Sequence, residues 1–385
     1  MTKEVKKNNH SILKFIILSI MVSAIILSIL FAYNGEILKS FDWNTFSPAR
    51  LFEEISSNRS AEKDISIKLG ELNIKASAMY MGNLLILSDN DIRLLNAKGE
   101  EIWYITHDIR QPVLQTEGQW ILVYDHTGKS YMVINKGKLL IDDTLEENIS
   151  FGDISENYIL FISWSNTGYK RTVHLVSPEN GSKFGALYID DYYPYYSVIS
   201  DNKDEGYFIL NGLSMNSSKI TTIFRKYSSN LNSGLIADVQ LDGLFSVMLD
   251  TQSKSLFIGE NNAYCYNNDL EYLWSLEFDQ NINAAGIFDD GSSVLALHGQ
   301  ENVLCFYDSL GKEVNRVTVG EKINSIVTIK NTAAVLCGPE ASFYNASGKF
   351  IDKVSISGLN IKLHFADEKK VYLLSEHEVI VHNLK

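Results

Sequence analysis

The chain has 385 residues, 45% of them hydrophobic, and carries a formal net charge of −13. This hydrophobic content is ordinary for a folded protein and excludes a chain that is disordered throughout. The excess of acidic residues argues against nucleic acid or an anionic membrane surface as a ligand, because both repel a negatively charged protein. The length allows two average domains or one large repeat domain.

The first predicted element is a membrane-spanning helix over residues 15–33. This stretch reads FIILSIMVSAIILSILFAY and contains no charged residue. At about 1.5 Å per residue it would extend about 28 Å, close to the hydrocarbon thickness of a bilayer. The alternative is a cleaved signal peptide, whose apolar region is normally about 7–15 residues and is followed by small residues at the cleavage site. The following FAYNGE has no such site, so the sequence predicts an uncleaved signal anchor.

The charges around this helix predict its orientation. The residues before it carry four lysines and one glutamate: Lys3, Glu4, Lys6, Lys7 and Lys14. The positive-inside rule then places residues 1–14 in the cytoplasm as a basic tail, and residues 34–385 outside the cell membrane. Without residues 1–33, 30 basic and 46 acidic residues remain, which is a formal charge of −16.

Residues 34–63 are predicted to form a stalk or linker. Within it, SPARLFEEISS has the pattern of a short helix, with Ser47 as its N-cap and Pro48 in its first turn. From Asp64 onward the helical period gives way to short apolar or alternating runs separated by Gly, Asn, Asp and Ser. Such runs are typical of β-strands.

The strands of residues 64–385 form a repeat. A strand ending in Asn, Asp or Ser is followed by a turn and another strand, and the residues that end these strands are Asn96, Asn135, Ser177, Ser228, Asn267, Asp308, Asn345 and Asn383. They lie 37 to 51 residues apart, with a mean of 41. A period near forty, filled by four short strands, is that of a β-propeller blade. In each turn the side-chain oxygen is expected to accept backbone hydrogen bonds, and a glycine supplies the positive φ.

The two ends of this region are expected to meet. The last repeat stops after its third strand, and a lone strand over residues 64–70, DISIKLG, precedes the first repeat. If this strand completes the last sheet, the ring closes without an open edge. The sequence therefore predicts an all-β, eight-bladed β-propeller over residues 64–385. The alternative is seven blades, which would require that one repeat is not a blade. The fourth repeat, with its long interval, fits the pattern least well.

Two repeats carry a resemblance to a known family. NAKGEEIW and NNDLEYLW resemble the repeat of quinoprotein-like (PQQ, WD40 and YVTN-like) propellers, A-x-D-x-x-T-G-x-x-x-W. Trp103 and Trp274 match its tryptophan, Gly99 matches its glycine, and Asn96 and Asn267 replace its aspartate, while its threonine is missing. The resemblance implies the fold and a blade-docking role for the two tryptophans. The whole layout also resembles single-pass, membrane-anchored propellers of clostridia-like bacteria, a family of unknown function.

The sequence contains no motif that indicates an enzyme. The histidines beyond residue 33 lack zinc-site spacing, and the three cysteines, Cys265, Cys305 and Cys337, are expected to be small buried residues. Adjacent aspartates such as Asp142 and Asp143 fall in predicted turns, where carboxylates usually cap the backbone. We therefore expect no catalytic residue, no metal site and no cofactor. A quinoprotein-like dehydrogenase is the enzymatic alternative that the resemblance implies.

The stretch YIDDYYPYYSV, residues 188–198, carries five tyrosines around a proline. In the predicted blades it connects the outer strand of the third blade to the inner strand of the fourth, beside the loop SWSNTGYKRT of the third. Aromatic residues with an arginine at a polar rim are typical of protein-recognition surfaces and sugar-stacking platforms. Tyr188 and Tyr196, at strand ends, are expected to pack between blades. The expected partner-binding residues are Trp164, Tyr169, Arg171, Asp190, Asp191, Tyr192, Tyr193 and Tyr195.

These expectations favour one function. The sequence predicts a non-enzymatic scaffold or receptor of the cell envelope, anchored in the membrane, whose partner is a protein or peptide. A cell-wall glycan, bound by aromatic stacking, is the alternative partner, and nucleic acid is not expected.

Overall fold

A computed structural model describes residues 64–70, 72–200, 206–215, 219–251, 253–358 and 360–384. These residues belong to one compact unit, Lys63–Lys385. The predicted cytoplasmic tail, membrane-spanning helix and stalk lie outside the described residues. Within the described part of the chain, no helix is long and apolar enough to cross a membrane.

The described residues form 32 β-strands and one short 3-10 helix, Leu231–Ser233. The strands of the first half are β1 (Ile65–Lys68), β2 (Ala76–Tyr80), β3 (Asn83–Leu87), β4 (Asp91–Leu95), β5 (Glu101–Thr106), β6 (Pro112–Glu117), β7 (Trp120–Asp125), β8 (Ser130–Asn135), β9 (Lys138–Thr144), β10 (Ile149–Ile154), β11 (Ile159–Ser163), β12 (Arg171–Val176), β13 (Lys183–Ile189), β14 (Tyr193–Ser200), β15 (Tyr207–Ser214) and β16 (Thr221–Ser228).

The strands of the second half are β17 (Leu235–Asp242), β18 (Val247–Asp250), β19 (Lys254–Ile258), β20 (Asn262–Asn267), β21 (Tyr272–Glu277), β22 (Asn281–Ile287), β23 (Ser293–His298), β24 (Asn302–Tyr307), β25 (Glu313–Val319), β26 (Ile323–Ile329), β27 (Thr332–Cys337), β28 (Glu340–Asn345), β29 (Phe350–Ser355), β30 (Lys362–Phe365), β31 (Lys370–Leu374) and β32 (Glu378–Asn383).

The strands are arranged as eight four-stranded antiparallel sheets, the blades. Blades 1 to 7 each contain four consecutive strands, from β2–β5 in blade 1 to β26–β29 in blade 7. Blade 8 has the order β1-β32-β31-β30, so the first strand of the chain is its outer strand. The prediction of an all-β, eight-bladed propeller is confirmed, and the fourth repeat is a complete blade, β14–β17.

Burial along the strands explains why they pack as blades. The second strand of a blade has a continuous apolar run, such as WILVY in β7, and it is buried on both sides by neighbouring blades. The outer strands alternate instead, as in EIWYIT of β5, where every second residue faces solvent. This difference follows from position, because a middle strand is covered on both faces, whereas an outer strand lies at the rim.

Eight hydrophobic clusters hold the ring together, one at each contact between neighbouring blades. The cluster between blades 8 and 1 joins Leu84 and Ile86 of β3 to Tyr372 of β31 and Val381 of β32. Pairing of β1 with β32, from Ile65 opposite Val381 onward, completes the last sheet. The propeller is therefore a closed ring within residues 64–384.

The two matched tryptophans lie where one blade meets the next. Trp103, in the outer strand of blade 1, covers Gly137 in a turn of blade 2, and a Cβ at Gly137 would lie 2.8 Å from its ring. Trp274 covers Gly311 of blade 6 in the same way, and its Nε1 donates to the carbonyl of Ser309. Both glycines also have a positive φ, which suits a residue without a side chain.

The turns between the third and fourth strands have the expected chemistry. Asn96 Oδ1 accepts hydrogen bonds from the backbone N–H groups of Lys98 and Glu100. The side chains of Asn267, Asp308 and Asn345 accept the same pair of bonds in their own turns. These polar residues stabilise the turn locally, which is why the sequence pattern marks it.

One face of the propeller carries two kinds of connection. Since the four strands of a blade alternate in direction, the loop between the second and third strands lies on the same side as the crossover to the next blade. We call this side the crossover face. Backbone hydrogen bonds join the two kinds of segment there, from Trp164 N–H to the carbonyl of Asn148 and from Gly243 N–H to the carbonyl of Ile220.

Candidate interaction surface

Four exposed aromatic residues lie together on the crossover face of blades 3 and 4. Trp164 and Tyr169 belong to the loop between β11 and β12, Tyr188 to the end of β13, and Tyr193 to the start of β14. Their exposed fractions are 48%, 42%, 55% and 39%. The rings of Tyr169 and Tyr188 contact each other with centroids 5.0 Å apart. The sequence had placed Tyr188 between blades; that expectation is wrong.

Two cations lie among these rings. The guanidinium carbon of Arg171 is 5.7 Å from the ring centre of Trp164 and 5.5 Å from that of Tyr193. Lys170 Nζ is 4.8 Å from the ring centre of Tyr193 and donates to the carbonyl of Asp191 at 2.9 Å. These cation–π contacts hold the loop of blade 3 against the crossover to blade 4.

A buried polar cluster supports the same loop from below. The hydroxyl of Ser163 donates to Glu147 Oε2 at 2.7 Å, and His174 Nε2 lies 3.0 Å from that hydroxyl oxygen and 3.3 Å from the carboxylate. The other carboxylate oxygen, Glu147 Oε1, accepts the backbone N–H of Asn166 in the loop. Glu147 comes from the crossover between blades 2 and 3, so the cluster joins crossover and loop.

The protonation states of this cluster follow from its surroundings. Burial lowers the pKa of His174, although Glu147 acts in the opposite direction. Burial is the largest single influence on Glu147 and opposes its ionisation, but its hydrogen bonds, led by those from Ser163 and Asn166, together outweigh burial and hold the pKa of the carboxyl below its usual value. Near neutral pH the cluster is therefore an ionised Glu147 beside a neutral His174. Because Ser163 is completely buried, its hydroxyl cannot meet a substrate.

Tyr192 is the main error in the predicted surface. Its exposed fraction is 0%, and it packs in the cluster between blades 3 and 4 with Phe208 and Tyr227. The guanidinium of Arg225 covers its ring at 4.7 Å and forms an ion pair of 2.6 Å with Asp191. Burial raises the pKa of Tyr192 well above its usual value. Tyr192 is therefore a core residue, and the carboxylate of Asp191 is engaged by Arg225.

Tyr195 and Pro194 also differ from the expectation. Tyr195 is only partly exposed, and its hydroxyl donates to the carbonyl of Phe245 in the next crossover at 2.9 Å. Pro194 was expected to keep the crossover out of strand pairing, but it lies within β14 and pairs with Gly212. It is tolerated because β14 is the edge strand of its sheet, where a missing N–H costs no ladder bond. Tyr196 packs against Phe151 with ring centres 5.0 Å apart, as expected of a residue between blades.

The exposed apolar surface continues beyond the predicted residues. Met215 and Ile220 flank the loop between the second and third strands of blade 4, Leu244 lies in the next crossover, and Val247 begins β18. All four are exposed. Isolated aliphatic residues in loops have no sequence pattern, so these four were not predicted. The signal that could have found them is their common position, in two connections on one face of the propeller.

We call this surface the blade 3–5 arc and define it by its exposed apolar residues: Trp164, Tyr169, Tyr188, Tyr193, Met215, Ile220, Leu244 and Val247. Among the described residues, every exposed large apolar side chain of the crossover face belongs to the arc. The others, such as Leu310 and Phe350, lie in outer strands or near the opposite face. The arc also contains Lys170, Arg171 and the exposed Asp190.

In the part of the chain that the structure describes, no group of three or more His, Cys, Asp or Glu side chains could hold a metal ion. Cys265 and Cys305 are buried and Cys337 is partly buried, and all three are free thiols. Burial raises the pKa of the Cys265 thiol to about 11, which keeps it protonated and unreactive near neutral pH.

Solved structures with a similar fold are propellers of varied origin. BamB from Moraxella catarrhalis superposes with a TM-score of 0.58 at 11% identity, covering 83% of this chain and 98% of that one. Saccharomyces cerevisiae Sqt1 gives 0.62 at 11% identity, with the same coverage of both chains. The C-terminal WD40 domain of Sif2 gives 0.61 at 13% identity, again covering 83% and 98%. At these identities the likeness shows the fold alone.

Sequence comparison gives the family. No curated protein matches the chain. One family profile, described as a family of unknown function (DUF5711), matches residues 56–384 and thus the whole described propeller. This chain belongs to the DUF5711 family.

Proposed function

We propose that this protein is a non-enzymatic binding scaffold of the cell envelope that engages a protein partner through the blade 3–5 arc. In this proposal residues 15–33 anchor the chain in the membrane once, residues 1–14 stay in the cytoplasm, and the propeller faces outward. The uncharged 19-residue run and the preceding lysines support the anchor and its orientation.

The distribution of exposed apolar residues carries the proposal. A propeller repeats the same connections eight times, yet among the described residues of the crossover face the large exposed apolar side chains are confined to blades 3, 4 and 5. Folding does not require this, because the apolar residues that the structure describes in the same connections of the other blades, such as Ile109, Leu145 and Phe278, are buried or partly buried. Contiguous exposed apolar surface rimmed by polar residues usually marks an interaction site.

The composition of the arc supports a protein as the partner. Trp, Tyr, Met and Arg are enriched at protein interfaces, where the Trp and Tyr rings pack and their N–H and O–H groups form polar contacts. The aliphatic residues Met215, Ile220 and Leu244 extend the surface by packing groups, which a protein partner can cover and a sugar cannot stack upon. A glycan partner would use the aromatic end of the arc alone.

The test is capture of a partner by the full chain from cells of its source. The wild type is compared with a Trp164→Ala/Tyr193→Ala variant by crosslinking on intact cells, followed by affinity purification through an N-terminal tag. A hot-spot aromatic residue contributes about 2 kcal/mol, so the double variant should lose capture of the same partner by about thirtyfold or more.

The control removes exposed apolar residues elsewhere. The Leu310→Ala/Phe350→Ala variant lies away from the crossover face and should capture the partner as the wild type does. The proposal is wrong if the two double variants behave alike, or if the crosslinked material is polysaccharide rather than protein.

A further inference from the structure

Lys170 and Arg171 are cations without a carboxylate partner. Among the described residues, neither has an acidic side chain within ion-pair distance. Lys170 Nζ donates to the carbonyl of Asp191, and one terminal nitrogen of Arg171 donates to the carbonyl of Lys170 at 2.7 Å. Arg171 Nε is buried and has no acceptor. Their charges are supported by carbonyl dipoles and aromatic faces only.

Arg171 differs in this respect from the arginines that form ion pairs. Three other arginines bind carboxylates directly: Arg93 with Asp91, Arg225 with Asp191, and Arg316 with Glu313. The chain has 47 acidic residues against 34 basic ones, so acidic side chains are abundant. Asp191 lies next to Lys170, but Arg225 engages its carboxylate. Burial lowers the pKa of Arg171, which reflects a guanidinium removed from water without an anion to compensate it.

The position of the two cations defines what can approach them. The guanidinium of Arg171 lies beside the rings of both Trp164 and Tyr193. A guanidinium donates strong, charge-assisted hydrogen bonds to carboxylate oxygens. An anion bound there would lie beside the exposed rings of Trp164 and Tyr193.

The arc favours a peptide over a sugar polymer as the source of that anion. Arg171 and Lys170 already lie against the rings of Trp164 and Tyr193, and Tyr169 and Tyr188 contact each other. These contacts occupy ring surface that a stacked sugar would need. The aliphatic part of the arc, at Met215, Ile220, Leu244 and Val247, suits apolar side chains of a polypeptide instead.

We propose that the blade 3–5 arc binds an acidic, apolar segment of a partner polypeptide, with an Asp or Glu side chain placed on Arg171 and Lys170. This inference rests on the binding role proposed above and names the chemistry of the partner. The anion supplies the missing counter-charge, and the apolar residues beside it cover the exposed rings and aliphatic side chains.

The probe for this inference is a random twelve-residue peptide library displayed on phage and selected on the full chain in detergent. Peptides selected by the wild type should be enriched in Asp or Glu next to aromatic or aliphatic residues. Their affinity should fall at least tenfold in Arg171→Gln and in Lys170→Gln, and should not change in Leu310→Ala. A thermal melt of each variant verifies that it is folded.

A charge reversal distinguishes recognition from structural support. Selection on Arg171→Glu should yield peptides enriched in Lys or Arg at the position where the wild type selects Asp or Glu. A merely structural role of Arg171 would not exchange one charge preference for the other. The inference would be overturned if the selected peptides are not enriched in acidic residues, or if their affinity is unchanged in both Arg171→Gln and Lys170→Gln.

The outcomes separate this inference from the proposed function. Selected peptides that need Trp164 and Tyr193 but not the two cations would leave the protein-binding role intact and refute the acidic preference. Peptides whose affinity depends neither on the two cations nor on Trp164 and Tyr193 would refute both the acidic preference and the protein-binding role. If polygalacturonate, an anionic polysaccharide, binds the wild type, and the selected peptides show no preference for acidic residues, the peptide assignment is wrong.

Discussion

At the scale of single residues, the tyrosine-rich stretch shows how little separates surface from core. Tyr188 and Tyr193 are exposed, whereas Tyr192, directly before Tyr193, is completely buried. Tyr195 donates to a backbone carbonyl, and Tyr196 packs against a neighbouring blade. The register of β14 shifts between Pro194 and Tyr196, so strict alternation fails in this stretch. Residue type alone therefore could not distinguish these five side chains.

Tyr192→Ala is expected to destabilise the propeller. Truncating a buried aromatic side chain usually costs about 3–5 kcal/mol, because packing is lost and a cavity remains. Here the change also removes the ring beneath Arg225. The free energy of unfolding, measured by urea denaturation, should decrease by that amount. Tyr193→Ala is the matched control and should change it by about 1 kcal/mol or less, since its side chain is exposed and loses only cation–π contacts. Equal effects of the two variants would contradict the assigned burial.

The largely buried imidazole of His364 should make stability depend on pH. Burial is the main cause that lowers its pKa to about 4, and Ser77 Oγ lies 2.7 Å from Nε2. The unfolded chain, with a pKa of about 6.5, binds the proton more readily, so stability is lost as pH falls from about 6.5 towards 4. At about 1.4 kcal/mol per pKa unit, the loss between pH 7 and 4.5 is about 2–3 kcal/mol.

The measurement compares unfolding free energies of wild type and His364→Gln at pH 7 and 4.5. The decrease on acidification should be about 2–3 kcal/mol smaller in the variant. The comparison is needed because burial raises the pKa of Asp250 to about 6, and this group stabilises the protein as pH falls. His126→Gln, which changes an exposed imidazole, should keep the pH dependence of the wild type. An unchanged slope in His364→Gln would refute the assignment.

At the scale of elements, the ring depends on a strand from the opposite end of the chain. β1 pairs with β32, Ser66 Oγ donates to a carboxylate oxygen of Glu378, and Asp64 and His382 approach to 2.7 Å. Ile67 packs into the cluster between blades 8 and 1. The sequence predicted this closure because the last repeat lacks one strand, and an open sheet edge would be left without it.

Removing β1 is expected to open the ring. A chain that starts at Glu71 loses the outer strand of blade 8 and uncovers apolar side chains worth about 1.5–3 kcal/mol each. A domain is stabilised by only about 5–15 kcal/mol, so this chain should melt far earlier than one that starts at Asp64, or aggregate. Ile67→Asp in the full chain should lower the melting temperature in the same direction. Equal melting temperatures of the two shortened chains would show that β1 is dispensable.

At the scale of the whole molecule, the eight blades share one fold but differ in the charged and apolar residues that they expose. All eight blades share one architecture, but the arc occupies three of them. The proposed exported part carries a formal charge of −16, whereas the predicted cytoplasmic tail is basic. The proposal therefore places a negatively charged propeller outside the cell, and the arc on that propeller carries two cations, Lys170 and Arg171.

The proposed orientation predicts which parts of the chain a protease can reach. Protease added to intact protoplasts should degrade the exported part of the chain, residues 34–385, and leave an N-terminal tag intact inside the cell. Lysis in detergent should make the tag accessible as well. Loss of the tag from intact protoplasts, with the propeller protected, would show the opposite orientation.

The amino-acid sequence by itself determined the eight blades, their turns and the closing strand. These features depend on local patterns, namely alternation along a strand, Asn or Asp at a turn, and a period near forty residues. Only the tertiary structure decided which tyrosines of residues 188–198 face solvent. Tyr192 is covered by Arg225 and Tyr195 is held by Phe245, which come from other strands and crossovers of the ring. Burial is a property of what lies opposite a side chain, and those neighbours are 33 and 50 residues away in the chain.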